Sequence, residues 1–241
     1  METVLQSGRV APVSGVGQER LRGKDPMVKR TIGVLVFAAA TCVIIVAAAG
    51  GSRFLQRPLG AVFLGLWSLW WLVIALGRRR GAPSSYNRSQ RGIMALGIVA
   101  LLALFALAPW EYGHFDGPIP RNGPLAWAGL ALFAAGIVLQ SAALWSLRGL
   151  YTTRLGMQPG HRLVTSGPYR WLRHPGYLSN LVCLAGISLA LSSLIALATT
   201  VMVVPLILQR IEREEEMLLA ELGEVYRVYQ SKTRRLIPRL Y

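Results

Sequence analysis

Charge is what this chain has least of. Only 15% of its 241 residues are charged, against roughly a quarter in a soluble domain. Acid is scarcer still, with 11 Asp and Glu against 26 Lys and Arg. Cysteine is almost absent. Its two copies, Cys42 and Cys183, fall inside apolar runs, which excludes a disulfide framework and a thiolate metal site. No β-type alternation is present, and no glycine-rich loop follows a strand, so the phosphate-binding signatures of soluble nucleotide enzymes are missing. Neither a Ser or Cys nucleophile constellation nor a metal-ligand cluster is found, and no metal is expected. The net charge of +15 does not imply nucleic acid, because the basic residues sit between apolar segments and not on one soluble domain. Anionic lipid headgroups and the positive-inside rule account for them.

Long apolar segments are present instead, in a composition that is 53% hydrophobic. Six follow a charged, aperiodic tail: Thr31–Gly50, Pro58–Gly77, Gly92–Trp110, Pro124–Leu147, Pro175–Leu191 and Ser193–Gln209. The first four reach the ~20 residues that cross the hydrocarbon of a bilayer. The last two are short, and their join, Leu191-Ser192-Ser193, carries no charge. They read as a tight helical hairpin, with Pro205 bending its second arm. Beyond Gln209 a stripe of Leu218, Leu222, Val225, Tyr226 and Tyr229 reads as one amphipathic helix stopped at Ile237-Pro238. The expected fold is an all-α integral membrane protein of about six transmembrane helices. Its last two form a hairpin that continues into a cytosolic amphipathic C-terminal helix. Residues 1–30 read as a mobile cytosolic tail, 31–147 as four spans, and 148–241 as the functional core.

Basic residues set the orientation. Arg78, Arg79, Arg80, Arg88 and Arg91 make one positive segment; Arg148, Arg154, Arg162, Arg170 and Arg173 make another. The loop Glu111–Arg121 is close to neutral, and Arg53 and Arg57 alone oppose the trend. Six alternating spans then place both termini and both positive segments in the cytoplasm.

Two polar clusters border the uncharged hairpin. The first runs H-R-L-V-T-S-G-P-Y-R-W-L-R-H-P-G-Y from His161 to Tyr177, and the second is R-I-E-R-E-E-E from Arg210 to Glu216. No charged residue lies between Tyr177 and Arg210, so a hairpin brings both clusters to one membrane face. Pro175 suits the first turn of a helix, which puts His174 at its N-terminus, a seat for an anion. Gly167 and Gly176 free the backbone to turn and to approach a ligand. Tyr169, Trp171 and Tyr177 offer surfaces for a ring or a cation, or equally an interfacial belt. Arg210 and Glu214 share a helix face at i,i+4. They read as a salt-bridged helix exit, or as an arginine fork for a carboxylate beside a glutamate for a cationic ligand.

Together the two clusters, with G-E-V-Y-R-V-Y and R-L-I-P after them, resemble the isoprenylcysteine carboxyl methyltransferase (ICMT) family of membrane enzymes. The resemblance spans about Tyr151 to Pro238. It implies S-adenosyl-L-methionine as cofactor and a prenylated cysteine carboxylate as acceptor. By matching position it implies a cofactor site of His161, Arg162, Leu163, Val164, Tyr169, His174, Pro175, Gly176 and Tyr177, with Glu214. Arg210 would face the substrate carboxylate, so Arg210 and Glu214 are the candidate catalytic residues, with Glu215 as a second candidate acid. Methyl transfer to an ionised carboxylate needs alignment and no general base. Related enzymes methylate phospholipid amines or small thiols, and sterol-type reductases with a similar R-H-P-x-Y element bind NADPH. The sequence leaves the acceptor and the oligomeric state open. Gly60–Gly65 and Gly129–Gly136 read as small-residue faces, either between copies or inside one chain.

Overall fold

The structure, a computed structural model, describes residues 26–77, 90–115, 120–147 and 163–237. Its elements are all helical: α1 (Pro26–Ala48), the short α2 (Ser52–Leu55), α3 (Pro58–Gly77), α4 (Gln90–His114), α5 (Pro124–Leu147), α6 (Pro175–Ala190), α7 (Leu194–Leu222) and α8 (Glu224–Lys232). A 3-10 turn at Gly167–Arg170 precedes α6. One isolated parallel bridge pairs Leu172 with Arg234. By length and composition α3, α5 and α7 can cross a membrane, while α6 and Ile32–Ala48 of α1 are shorter apolar helices. The chain is an integral membrane protein.

Proline opens α3, α5 and α6, where its fixed φ fits and its missing N–H costs nothing. The bounds of α3 and α5 match the spans read from sequence. Two readings need correction. Helix α1 begins at Pro26, inside the segment read as tail. The second arm of the hairpin continues beyond Gln209 as expected: α7 runs unbroken for 29 residues, through Pro205 and through the acidic cluster. The amphipathic stripe, however, is not one helix. Gly223, at φ 54, ends α7 and starts α8, a left-handed conformation that suits glycine. Helix α8 then stops at Lys232, before Ile237-Pro238, because the chain turns there to pair with Leu172.

The hairpin tip is held from outside. Ser192 adopts φ 49, and Ser193 caps α7 by accepting from the Ala196 amide at 3.0 Å. Glu111, near the end of α4, accepts from the Ser193 hydroxyl and from the Leu194 and Ile195 amides at 3.2 and 3.1 Å. A carboxylate at a helix N-terminus satisfies orphan amides and opposes the dipole. This contact was invisible in a loop read as near neutral.

The core is aromatic where α2, α3, α4 and α5 meet: Phe54, Phe63, Trp67, Trp70 and Phe133 are buried together. Between α5 and α6 glycines bring the two backbones close together. A Cβ on Gly129 would strike the Ala190 and Leu189 backbone, one on Gly136 would strike Cys183, and one on Gly186 would strike the Phe133 amide. Gly129 and Gly136 thus serve packing within the chain, which lets the α6 backbone lie against α5. Buried polar side chains of α6 are paired with both neighbouring helices, Ser179 donating to Gln140 of α5 at 2.6 Å and Ser188 lying 3.1 Å from Thr200 of α7.

Gly186→Ala forces the Phe133 backbone away and is expected to lower stability by about 2 kcal/mol. Gly65→Ala points into open space and is expected to change it by under about 1 kcal/mol. Thermal unfolding in detergent checks the contrast.

Candidate functional site

The site lies where α6 begins and α7 carries its charges. His174 takes the N-cap position of α6 at φ −126, ψ 55, followed by Pro175. Its carbonyl receives the amides of Tyr177 and Leu178 at 3.1 and 3.2 Å. That first turn aims Tyr177 at α7. The Tyr177 hydroxyl donates to Glu214 Oε2 at 2.7 Å and accepts from Arg210 Nε at 2.7 Å. The Arg210 guanidinium also lies 5.9 Å from the Tyr177 ring centre, within cation–π range. One phenol thus joins the two residues that the sequence placed on a common helix face.

The next residue on α7 has a different environment. Glu215 is 4% exposed. Its Oε1 accepts from Arg173 Nε at 2.6 Å and lies 3.2 Å from His174 Nε2. Its Oε2 accepts from Arg235 Nε at 2.9 Å. Arg173 also donates through Nη1 to the carbonyls of Gln230 and Thr233, at 3.1 and 2.6 Å. Glu215 lies past the apolar part of α7. Burial by itself would push its carboxyl up. The hydrogen bonds from His174 and Arg173, with the Arg173 charge, outweigh that and hold it at about 2.

Close by is a hydroxyl without a partner. Tyr226 of α8 is 1% exposed, and its hydroxyl has no hydrogen bond among the described residues. Burial pushes its phenol up, and the charge of Glu215 adds to this. Tyr229 donates to the Tyr169 carbonyl at 2.7 Å and so fixes the 3-10 turn; burial pushes it up to about 12. Open space adjoins the α6 turn, since a Cβ on Gly176 would meet nothing within 4 Å.

The structure therefore brings His174, Pro175, Gly176, Tyr177, Arg210, Glu214 and Glu215 together. Tyr169 joins them through Tyr229. Leu163 and Val164 are half-buried on the extended approach to the turn. His161 and Arg162, like Arg154, lie outside the described residues. Gly167 has a local cause: φ is 60, and a Cβ would strike Ser146 of α5. Arg173, Arg235, Tyr226 and Tyr229 were not singled out as site residues by sequence reasoning. For Arg173 a signal existed, because a triple glutamate at a membrane face demands nearby positive charge. Among the described residues no group of three His, Cys, Asp or Glu side chains could hold a metal.

Residues 128–220 match the isoprenylcysteine carboxyl methyltransferase (ICMT) family. Relatives include the cobalt-zinc-cadmium resistance protein CzcN of Cupriavidus metallidurans, 29% identical over 151 residues, covering 60% of this chain and 64% of that one. A probable protein-S-isoprenylcysteine O-methyltransferase of Oryza sativa subsp. indica is 29% identical over 117 residues, 47% of this chain and 61% of that one. The chain thus spans less than two thirds of these curated relatives. A solved structure described as the eukaryotic intramembrane Ras methyltransferase ICMT matches 89% of this chain and 83% of its own, with TM-score 0.55 and 21% identity. That likeness is one of fold.

The Glu215 carboxyl sits below its ordinary 4.5 in the folded chain. Its stabilising contribution is therefore complete above about pH 5 and is lost as pH falls through 4.5 toward 2. Thermal unfolding followed from pH 7 to pH 3 is expected to fall less steeply in the acid range for Glu215→Gln than for the wild type.

Proposed function

From residues 128–220, which are ICMT-family sequence, we propose that the chain is a membrane methyltransferase that uses S-adenosyl-L-methionine. Its acceptor is the carboxylate of a lipophilic, prenylcysteine-like molecule. The observation that carries this reading is the hydrogen-bonded series Arg210–Tyr177–Glu214 beside the α6 N-terminus. It presents a guanidinium, a phenol and a carboxylate within one small volume.

That donor set fits the cofactor, which bears an ammonium, a carboxylate and a sulfonium. A carboxylate side chain, aromatic rings, an unpartnered buried hydroxyl and the open space at Gly176 are complementary to it. His161, Arg162, Leu163, Val164, Tyr169, His174, Pro175, Gly176, Tyr177 and Glu214 would hold it. Its chemistry is to supply an electrophilic methyl group. The chain's own residues supply placement. Arg210 orients the acceptor carboxylate, which is already ionised at neutral pH, so no residue need remove a proton. The same guanidinium opposes an ammonium, and this disfavours an amine acceptor. The series is half-buried, and completing its cover with bound cofactor and acceptor would exclude water, strengthen each charged contact and protect the methyl donor from hydrolysis.

The domain reading accompanies this proposal: 31–147 as an anchor of spans and 148–241 as the methyltransferase core, with the site and both termini cytosolic. What supports one face for the site is the contact between His174, before α6, and Glu215, beyond the apolar part of α7. The apolar hairpin between them returns to the side it left.

Purified protein is expected to bind S-adenosylhomocysteine in calorimetry and not NADPH; binding of NADPH alone would assign the chain to the reductases. Arg210→Ala is expected to lower kcat/KM for a prenylcysteine analogue by about 100-fold and to leave S-adenosylhomocysteine affinity largely intact. Glu214→Ala is expected to weaken the cofactor instead.

A further inference from the structure

The Glu215 carboxylate has two arginine neighbours and one histidine neighbour, from two segments that lie far apart in sequence. Arg173 and His174 come from the stretch before α6, and Arg235 from the stretch after α8. Those stretches also meet through their backbones. The Arg173 and His174 amides donate to the carbonyls of Arg234 and Arg235 at 2.7 and 3.1 Å, and the Arg234 amide donates to the Trp171 carbonyl at 3.0 Å. Arg173 closes the arrangement by donating to Gln230 and Thr233. The Arg173, His174 and Arg234 amides have no helical acceptor of their own, so these stretches depend on each other and on the carboxylate between them.

Both Glu215 oxygens are engaged, which leaves the group poorly suited to exchange protons or to turn toward a ligand. Its neighbours on the chain are the ones that matter to the site. His174 abuts Tyr177, with ring centres 5.7 Å apart, and Tyr177 bonds Glu214, the residue before Glu215. Moving Arg173 and His174 therefore moves Tyr177 away from Glu214 and Arg210.

We propose that Glu215 is a positioning residue and that the segment Thr233–Leu236 is part of the site. The carboxylate locks this segment against the Arg173–His174 backbone and so sets Tyr177 between Arg210 and Glu214. The role rests on reading that pocket as the cofactor site, and it is an alternative to Glu215 as a second catalytic acid. The C-terminal segment acts as a brace, and it acts without touching the reacting atoms.

The test uses the full chain in detergent or nanodiscs, with Glu215→Gln, Arg235→Met, the double variant and Arg235→Lys. Three quantities are read: S-adenosylhomocysteine affinity, kcat at saturating cofactor, and trypsin cleavage after Lys232 and Arg234. Each single neutral variant is expected to weaken S-adenosylhomocysteine by about tenfold, with the double variant within about twofold of either single because both break one brace. The expected kcat change is under about threefold, Arg235→Lys recovers most of the affinity, and the C-terminal sites open to trypsin only in the neutral variants.

A 100-fold loss of kcat in Glu215→Gln with affinity unchanged would make Glu215 a chemical participant and overturn the proposal. So would additive single effects, or an Arg235→Met protein indistinguishable from wild type. If Glu215→Gln does not fold, the Arg235 variants decide alone, because that side chain lies at the partly exposed edge of the cluster. If wild type binds no S-adenosylhomocysteine, the methyltransferase reading fails. The brace itself is then judged by trypsin protection and by whether the Glu215 and Arg235 variants couple in thermal unfolding.

Discussion

A buried carboxylate held by two arginines and a histidine is the constraint on which this architecture turns. An isolated charge at the edge of a membrane carries a desolvation cost of several kcal/mol. Glu215 avoids most of it by drawing Arg173, His174 and Arg235 around itself. In doing so it gathers the start of α6, the exit of α7 and the end of the chain into one knot. The apolar hairpin supplies the span, and this cluster supplies its register. Slippage of α7 by one residue would replace Glu215 with Glu214 or Glu216 at the centre and take Arg210 away from Tyr177. The triple glutamate thus has a division of labour that its monotony hides: Glu214 meets Tyr177, Glu215 meets Arg173, His174 and Arg235, and Glu216 is exposed.

Much of the fold was legible because hydrophobic length is a direct physical signal. The bounds of α3 and α5 followed from a proline start and an uninterrupted apolar run. The failures share a cause. The continuation of α7 beyond Gln209 was legible from the spacing of Leu218 and Leu222, but its end at Gly223 was not. The extent of α8 was overestimated because Gly223 was read through, and because the bridge from Leu172 to Arg234 joins positions 62 residues apart. No local pattern encodes such a pairing.

At the site the same division applies. The i,i+4 relation of Arg210 and Glu214 and the place of His174 before a proline are local facts, and both were readable. That Tyr177 sits between Arg210 and Glu214 is a tertiary fact. So is the engagement of Glu215, whose sequence neighbours gave no sign of which acid faces inward. The glycines of α5 were ambiguous for the same reason, since small residues look alike whether they face another copy or another helix. Only the approach of Gly129, Gly136 and Gly186 to opposing backbone resolves them.

The cap that Glu111 places on α7 gives this helix a fixed zero point. From Leu194 to Arg210 are sixteen residues, about 24 Å of helical rise, somewhat less than the ~30 Å of bilayer hydrocarbon. On the proposed reading, with the capped tip at one boundary of the hydrocarbon, α7 works as a ruler that sets its guanidinium just within the other. A carboxylate dissolved in water would have to descend to reach it, whereas one carried on a membrane-embedded chain already resides at that depth. On the proposed reading, selection for lipidated acceptors begins with elevation, before any side chain has touched the lipid.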